Sequence, residues 1–342
     1  MRSGIRDEGR AGVIRFREGG GALVAGLRSA RSHEYRSKFT RWDELASVRS
    51  SPRRTLAGAV SDHLFFPPEL VPAATHPLVA ERGEHTTRAL LVRRLYQYLE
   101  FTVELEDTAV IPVASKIARA RAGIDVPDQM RLDAFKIATD EAWHAQFSYD
   151  MIVQVQAATG VQRRACEPPQ FVARLAEIGR GLDPDLRGID DLLFAVVSET
   201  LISAILSDLP NDRRLPDAVR EVVADHAEDE GKHHAFFRSL LSFLWPALTA
   251  EQRRRIGPWL PELIHAFLEP DYTATALALA ESGLSGPEIE RVVHEAFPKA
   301  AVRQSIAEAA RSTVRYFRAV GALDDPGTFE AFVAAGLLDG AS

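Results

Sequence analysis

The stretch that decides the fold is residues 225–237, DHAEDEGKHHAFF. Within it, His226, Glu230 and His233 are spaced four and then three residues apart. Each residue of an α-helix turns by about 100°, so Glu230 lies roughly 40° from His226 and His233 about 20° to the other side. Three side chains that can each bind a metal therefore share one stripe of a helix. The stripe predicts a metal site, provided that other helices supply partners.

Size and composition indicate a globular protein that folds around a large core. The chain has 342 residues, of which 46% are hydrophobic and 26% charged. Its single cysteine, Cys166, excludes an intramolecular disulfide and a cysteine-rich zinc or iron–sulfur site. The sequence contains no uncharged apolar run of about 18 residues and no signal-peptide pattern, so we expect no membrane span and a cytoplasmic location.

The net charge of −7 conceals a basic N-terminal part. Residues 1–54 contain 13 Lys and Arg against six Asp and Glu, which leaves the rest of the chain at −14. We expect a flexible basic leader over 1–28 and a single all-α domain over 29–342, with a basic arm that packs on the acidic body. Nucleic-acid binding is the alternative, which we disfavour because the arm has few aromatic residues and no recognisable reading module.

Apolar residues recur at intervals of three and four along most of the chain, whereas strand-type alternation is nearly absent. Gly and Pro signals bound the helical segments. This pattern predicts an all-α fold, with a four-helix bundle core and additional flanking helices. The predicted helices are residues 81–122, 127–158, 169–181, 187–208, 215–244, 249–267, 272–282, 286–296, 299–320 and 327–337. Those after 249 either wrap the bundle or form a homodimer contact.

Glu-x-x-His places a carboxylate and an imidazole on the same helical face. Glu230–His233 is one instance, and Glu141–His144 is a second within a long apolar helix. A third, Glu262–His265, follows Pro261 directly. Its glutamate therefore lies in a first helical turn, where acidic residues are common for electrostatic reasons. We interpret this third pair as unrelated to the metal site.

A lone acid precedes each of the two retained pairs in an apolar helix. Glu199 is the only acid between Asp191 and Asp208, and Glu104 lies between Val103 and Leu105. An unpaired buried carboxylate costs several kcal/mol, so something is expected to neutralise each of them. The alternative is an exposed position, and for Glu104 the neighbouring acids on its helix favour that alternative.

The order Glu104, Glu141-x-x-His144, Glu199, Glu230-x-x-His233 repeats one pattern on two helix pairs. A four-helix bundle uses this arrangement to hold two metal ions between carboxylates, with a histidine on each. Four carboxylates neutralise two divalent cations. Oxygen ligands with a few imidazoles and no thiolate favour iron or manganese over zinc.

The sequence resembles the p-aminobenzoate N-oxygenase family of ferritin-like diiron enzymes, which oxidise arylamines to nitro compounds in antibiotic pathways. The resemblance covers most of the chain, including LEFTVELEDTAVIPVA, DEAWHAQFSYD, FAVVSETLISAIL and DHAEDEGKHHAFF. It implies two Fe ions per chain, with Mn as a substitute, and O₂ as co-substrate. It also implies oxidation of an amine to hydroxylamine, nitroso or nitro product. The ligands that it implies are Glu104, Glu141, His144, Glu199, His226, Glu230 and His233.

Electrons are expected to come from an external donor, a redox partner, because the sequence has no flavin or nicotinamide fingerprint. Candidate substrate-binding residues flank the predicted ligands on their helices: Tyr96, Leu99, Glu100, Ile202 and Ser203. Tyr96 and Ser203 are equally consistent with core polar groups.

A free arylcarboxylate would require an arginine in reach. Arg93 and Arg94 lie about 15–17 Å up the helix from Glu104, at about 1.5 Å per residue. The substrate is therefore expected to be another small-molecule amine, with a carrier-protein-tethered amine as one option.

Two rival functions share the predicted fold. A diiron oxygenase acting on a carbon centre, as a hydroxylase or desaturase, would use the same metal site. A non-catalytic ferritin-like iron-binding protein would use the same bundle, although this chain has about 100 residues after it. Trp143 and Phe147, which flank His144, are interpreted as packing residues.

Overall fold

A computed structural model describes residues 34–58, 62–163, 168–205 and 209–339, except the side chains of residues 203–205. These residues form helices and connecting turns, without a strand among them. In chain order the α-helices are α1 (Trp42–Leu45), α2 (Ser47–Ser50), α3 (Pro77–Ala80), α4 (Glu84–Leu105), α5 (Ile111–Ala118), α6 (Asp128–Thr159), α7 (Gln170–Gly181), α8 (Ile189–Ile205), α9 (Asp217–Ala247), α10 (Ala250–Ile256), α11 (Leu260–Leu268), α12 (Tyr272–Glu281), α13 (Gly286–Ala296), α14 (Lys299–Ala319) and α15 (Pro326–Ala334).

Four long segments form the central bundle. Helices α4 and α5 pack along α6, helix α8 packs along α9, and the two pairs meet through α6 and α9. Local sequence signals explain where the helices begin and end. Pro127 and Pro216 directly precede α6 and α9, and α6 ends at Gly160, whose φ of 69° is a left-handed conformation that favours glycine. The bundle and its boundaries match the periodicity of the sequence.

A π-helical turn, Glu106–Val110, joins α4 to α5 and closes with a hydrogen bond from the Ile111 amide to the Glu106 carbonyl. Pro112 lies just beyond it. Proline in a regular helix lacks an amide donor and clashes with the carbonyl four residues earlier. The wider turn accommodates the proline, so the long first helix of the bundle continues past it in a shifted phase.

The remaining helices surround the bundle. Helix α11 packs on α7 and α8, helix α14 packs on α8 and α9, and α12 packs on α4. The helices after residue 249 therefore wrap the bundle, which was one of the two expectations. Within the part of the chain that the structure describes, no helix is both long and apolar enough to cross a bilayer.

Residues 34–58, here called the arm, run across α6 and α9. Arg54 bonds Asp225 of α9 through two nitrogens at 2.8 and 3.0 Å, and Arg53 bonds Asp150 of α6 at 2.8 Å. The arm amide of Leu56 donates to Gln154 at 2.8 Å. The basic arm thus packs on the acidic body, as expected from its charge. The predicted leader, residues 1–28, lies outside the described residues.

Candidate metal centre

The four bundle segments bring seven carboxylate and imidazole side chains together in the protein interior. Each is between 0 and 2% exposed. Helices α6, α8 and α9 and the π-helical turn contribute them, and their ligand atoms form overlapping groups within 4.8 Å. The seven residues are Glu106, Glu141, His144, Glu199, His226, Glu230 and His233.

Both Glu-x-x-His histidines direct Nδ1 toward the carboxylates. His233 Nδ1 lies 2.8 Å from Glu141 Oε1 and 3.4 Å from Glu230 Oε1. His144 Nδ1 lies 2.7 Å from Glu141 Oε2 and 3.5 Å from Glu230 Oε1. Glu199 Oε2 lies 3.8 Å from His233 Nδ1. The two motifs therefore converge on one polar centre from opposite helices.

The third histidine uses its other nitrogen. His226 Nε2 lies 3.0 Å from Glu230 Oε1 and 3.8 Å from Glu106 Oε1. Its ring centroid is 4.4 Å from that of His144. His226 therefore joins the stripe of Glu230 and His233, as its position four residues before Glu230 predicted.

The donor set fits metal ions better than it fits hydrogen bonding within the protein. Buried polar atoms normally have a hydrogen-bond partner, yet both carboxylate oxygens of Glu106, Glu199 and Glu230 have none among the described residues. The same holds for Glu141 Oε1 and for two histidine nitrogens of the centre. Divalent cations would satisfy these atoms, and two such cations would balance four carboxylates. An all-oxygen and imidazole donor set suits iron or manganese.

Without a metal, the centre compensates by holding protons. Burial raises the pKa of Glu106 and of Glu199 well above the usual range, and the charges of neighbouring glutamates raise each pKa further. Burial alone would lower the pKa of His233, but the charges of Glu141 and Glu230 raise it well above its ordinary value. Cations that enter the centre would therefore displace protons.

An aspartate lies behind each of the two Glu-x-x-His histidines. Asp140 Oδ2 is 3.2 Å from His233 Nε2, and Asp229 Oδ2 is 3.4 Å from His144 Nε2. Each aspartate directly precedes the glutamate of one motif and reaches the histidine of the other. Such an aspartate accepts the ring N–H, which orients the imidazole and raises its basicity.

Six of the seven predicted ligands lie in the centre, and Glu104 does not. Glu104 is half-buried and belongs to none of the groups, whereas Glu106 is fully buried within them. The inward stripe of α4 runs through Leu95, Leu99 and Thr102, and Glu106 is its next member at helical spacing. Because this stripe of α4 is buried, Glu106 and not Glu104 lies in the centre. The acidic residues of this segment had suggested an exposed face, but among them only Asp107 is exposed.

The third motif lies apart from the centre, as interpreted from its proline. Glu262 pairs with Arg174 at 3.0 Å, and His265 Nε2 lies 3.3 Å from the Ala335 carbonyl. Glu262 therefore has a protein partner outside the centre.

The candidate substrate residues have different environments. The Tyr96 hydroxyl donates to the Val161 carbonyl at 2.9 Å, and Glu100 forms an ion pair with Arg163, so each has a protein partner. Leu99 is buried on α4, which leads into the turn with Glu106, and Ile202 is buried on α8, which carries Glu199. The side chain of Ser203 lies outside the described set. These environments do not assign a substrate contact, so the role of the five residues in substrate binding stays a prediction.

Tyr98 is a polar residue of the interior that the sequence did not single out. Its side chain is 5% exposed, and its hydroxyl makes no hydrogen bond among the described residues. Burial raises the pKa of Tyr98, while the charge of Arg94 lowers it and that of Glu230 raises it further. A buried hydroxyl near Glu230 and without a partner is a candidate contact for a bound molecule.

A bundle whose carboxylates and histidines converge in this way belongs to the class of ferritin-like diiron proteins. The family model of p-aminobenzoate N-oxygenase AurF matches residues 51–321, and the chain belongs to this family of diiron oxygenases. It is also 25% identical, over 229 residues, to the 4-aminobenzoate N-oxygenase of Streptomyces thioluteus. That match covers 65% of this chain and 67% of the relative. The predicted ferritin-like fold and the predicted oxygenase class are confirmed.

Proposed function

We propose that Glu106, Glu141, His144, Glu199, His226, Glu230 and His233 hold two iron ions with which the protein oxygenates the nitrogen of an arylamine. The observation that carries this proposal is the set of buried glutamate oxygens without hydrogen-bond partners among the described residues. Bound iron would supply the O₂ chemistry, while the protein binds, orients and excludes water. Manganese is the alternative metal for the same donor set.

The protein's own contribution begins with the positions of its ligands. All seven side chains lie on bundle helices or on the π-helical turn, so packing restricts their rotamers. Asp140 and Asp229 would keep the Nε2 protons of His233 and His144, which leaves each Nδ1 free to bind metal. Burial of the whole set excludes bulk water, which strengthens electrostatic interactions inside the centre.

The amine is proposed to bind on the α4 and α8 side of the centre. Leu99 and Ile202 supply apolar surface there, and Tyr98 supplies a hydroxyl that lacks a partner among the described residues. Arg94, one helical turn before Tyr98, lies 5.2 Å above the Phe66 ring and forms no salt bridge with the described carboxylates. The relative acts on 4-aminobenzoate, as its name states. Arg94 would offer an acidic arylamine a positive charge beside Tyr98. At about 1.5 Å per residue it lies roughly 18 Å along the helix from Glu106, so its extended side chain would have to reach toward the carboxylate of the bound amine.

An external redox partner is proposed to supply electrons, since the four bundle helices carry no flavin or nicotinamide motif. A homodimer is also proposed. Leu132, Phe135 and Val153 of α6 are between 50 and 58% exposed, and their spacing places them on the outward side of that helix. Phe135→Glu should then yield a monomer by light scattering without loss of iron binding.

The proposed function is tested by anaerobic loading with Fe(II), followed by metal analysis and reaction with O₂. We expect two irons per chain, and conversion of 4-aminobenzoate to a product with added oxygen that carries label from heavy-isotope O₂. Arg94→Gln should raise the KM for 4-aminobenzoate but not for its methyl ester.

Three results would contradict the proposal. Binding of fewer than two irons would exclude the proposed centre. Oxidation of the iron without any amine product would favour a ferritin-like iron-binding protein. Oxygenation of a carbon atom would favour a hydroxylase.

A further inference from the structure

A line of hydrogen bonds joins one indole of the arm to the metal centre. Trp42 Nε1 donates to Asp140, with its two carboxylate oxygens at 2.8 and 2.9 Å. Asp140 Oδ2 in turn lies 3.2 Å from Nε2 of His233, whose Nδ1 faces Glu141 at 2.8 Å. Trp42 is half-buried, while Asp140 and His233 are fully buried. The line therefore runs from the protein surface to the centre.

The equivalent hydrogen bonds behind His144 involve different donors. Asp229, which faces His144, accepts hydrogen bonds from the Ser47 amide at 3.0 Å and from Lys232 Nζ at 2.9 Å. Neither the Ser47 amide nor the Lys232 ammonium places an aromatic ring between Asp229 and the protein surface. Within the described ranges, no aromatic side chain other than His144 itself donates to Asp229. The two Glu-x-x-His motifs are thus alike in sequence, but the aspartates behind their histidines connect differently to the surface.

Other aromatic residues near the centre lack this connection. Trp143 is adjacent to His144 in the chain, but its Nε1 has no hydrogen-bond partner among the described residues and its ring packs on Phe147 at 5.9 Å. Tyr98 is buried, and its hydroxyl is likewise unpaired there.

The arm also contacts His233 directly, through Phe39. The Phe39 ring stacks on His233 with 6.0 Å between centroids and 19° between planes.

We propose that Trp42, Asp140 and His233 form the route by which electrons reach the metal centre from an external one-electron reductant. In each transfer the donor loses one electron and one Fe(III) gains it to become Fe(II). Two transfers reduce both irons, and Trp42 is unchanged because it acts only as a path for the electron. The inference rests on the proposed function, since it needs the iron to be present.

The test measures reduction of the iron in the absence of amine, so it does not depend on catalytic activity. Iron-loaded, oxidised protein is mixed with a reduced [2Fe–2S] ferredoxin, and separately with reduced methyl viologen. Oxidation of the donor is followed by stopped-flow absorbance and divided by the iron bound per chain. The variants are Trp42→Phe, which removes the donor N–H, Trp42→Tyr, which restores a polar aromatic ring, and Trp143→Phe as the matched control.

We expect Trp42→Phe to slow reduction per bound iron by about tenfold or more, with partial recovery in Trp42→Tyr. Trp143→Phe should stay within about twofold of the unmodified protein. Melting temperatures and iron content show whether each variant is folded and loaded.

Several outcomes would overturn the route. Equal rates of reduction per bound iron in Trp42→Phe and in the unmodified protein would overturn it. This includes the case in which only the iron content of Trp42→Phe falls, because Trp42 would then merely position Asp140. Slower reduction in Trp143→Phe, or an unmodified centre that neither donor reduces, would also contradict it. An unmodified protein that binds no iron would instead contradict the proposed function, so the two failures are distinguishable.

Discussion

Two glutamates that are two residues apart on one helix have opposite roles. Glu106 lies inside the centre, with Oε1 at 3.8 Å from His226 Nε2, while Glu104 lies outside it. We expect Glu106→Ala to lose at least one of the two irons and Glu104→Ala to keep both, because only the first removes an oxygen ligand. Metal analysis of both purified variants gives the result. Retention of two irons by Glu106→Ala would remove it from the ligand set.

Protons on single residues of the centre compete with metal ions for the same ligand atoms. Burial would lower the pKa of His144, but the charge of Glu141 and hydrogen bonds to Asp229 and Glu141 raise it to about 9. His144 is therefore protonated at neutral pH in the metal-free protein, and a cation has to displace that proton.

The sign of the pH dependence follows from this competition. The apparent affinity for Fe(II) should rise as the pH increases from about 6 toward 9, and should level off once His144 has lost its proton. Proton release on binding should fall over the same range. Anaerobic titration calorimetry in buffers of different protonation enthalpy measures both quantities. An affinity independent of pH would mean that His144 is neutral before the metal binds.

The contrast between Glu104 and Glu106 also defines what the residue pattern can predict. Glu141, His144, Glu230 and His233 were identifiable because motif spacing places each pair on one helical face, and Glu199 because it is alone in an apolar helix. Glu106 was not identifiable by isolation, because Glu104 and Asp107 surround it. Its place at helical spacing after Leu99 and Thr102 was the available signal, which the acidic neighbours obscured.

At the scale of elements, the arm contributes unequal contacts to stability. The Arg54 side chain is 24% exposed and bonds Asp225, which is 15% exposed, whereas Arg53 is 61% exposed. Both arginines form two-point ion pairs, and a partly buried pair stabilises more than an exposed one. We expect Arg54→Ala to lower the free energy of unfolding by about 1–2 kcal/mol and Arg53→Ala to lower it by less.

Urea denaturation of both variants measures the difference. Equal effects would mean that Asp225 is well solvated after Arg54 is removed. Because the arm carries Trp42, the two variants also test whether the arm stays docked, which near-ultraviolet circular dichroism of that indole reports.

Helices were the more predictable elements, and the arm was the less predictable one. The predicted helices 127–158 and 286–296 agree with α6 and α13 to within about a residue, because apolar periodicity and terminal Pro or Gly act locally. The contact of Trp42 with Asp140 joins residues that are 98 positions apart. No local sequence pattern encodes such a contact. The charge of the arm could therefore predict that it packs on the acidic body, but not which residues it contacts.

At the scale of the whole molecule, the centre is a source of instability that the surrounding core has to offset. Four carboxylates with no exposed surface meet where the two helix pairs pack together. Their repulsion and their unsatisfied oxygens oppose the packing of α6 against α9. The flanking helices α11 and α14 add apolar contacts to α8 and α9 on the outer side. The extra helices therefore support the half of the bundle that the second Glu-x-x-His motif occupies.

Metal removal should accordingly destabilise the entire protein rather than one segment. A ligand that binds only the folded state at about 100 times its Kd adds roughly 2.7 kcal/mol to the free energy of unfolding. For a domain of this size that corresponds to a rise in Tm of about 5 °C. We expect scanning calorimetry of anaerobic Fe(II)-loaded protein to give a single transition at the higher temperature, and the metal-free protein a transition at the lower one.

The Glu106→Ala variant is the control for the metal effect, because its Tm should respond less to iron. Its own metal-free Tm is the reference, since truncation of a fully buried side chain also changes the packing. Glu104→Ala should respond as the unmodified protein does. The same Tm with and without iron would mean that iron does not bind the folded protein in preference to the unfolded chain. A raised Tm that persists in Glu106→Ala would instead place the stabilising iron outside the seven-residue centre.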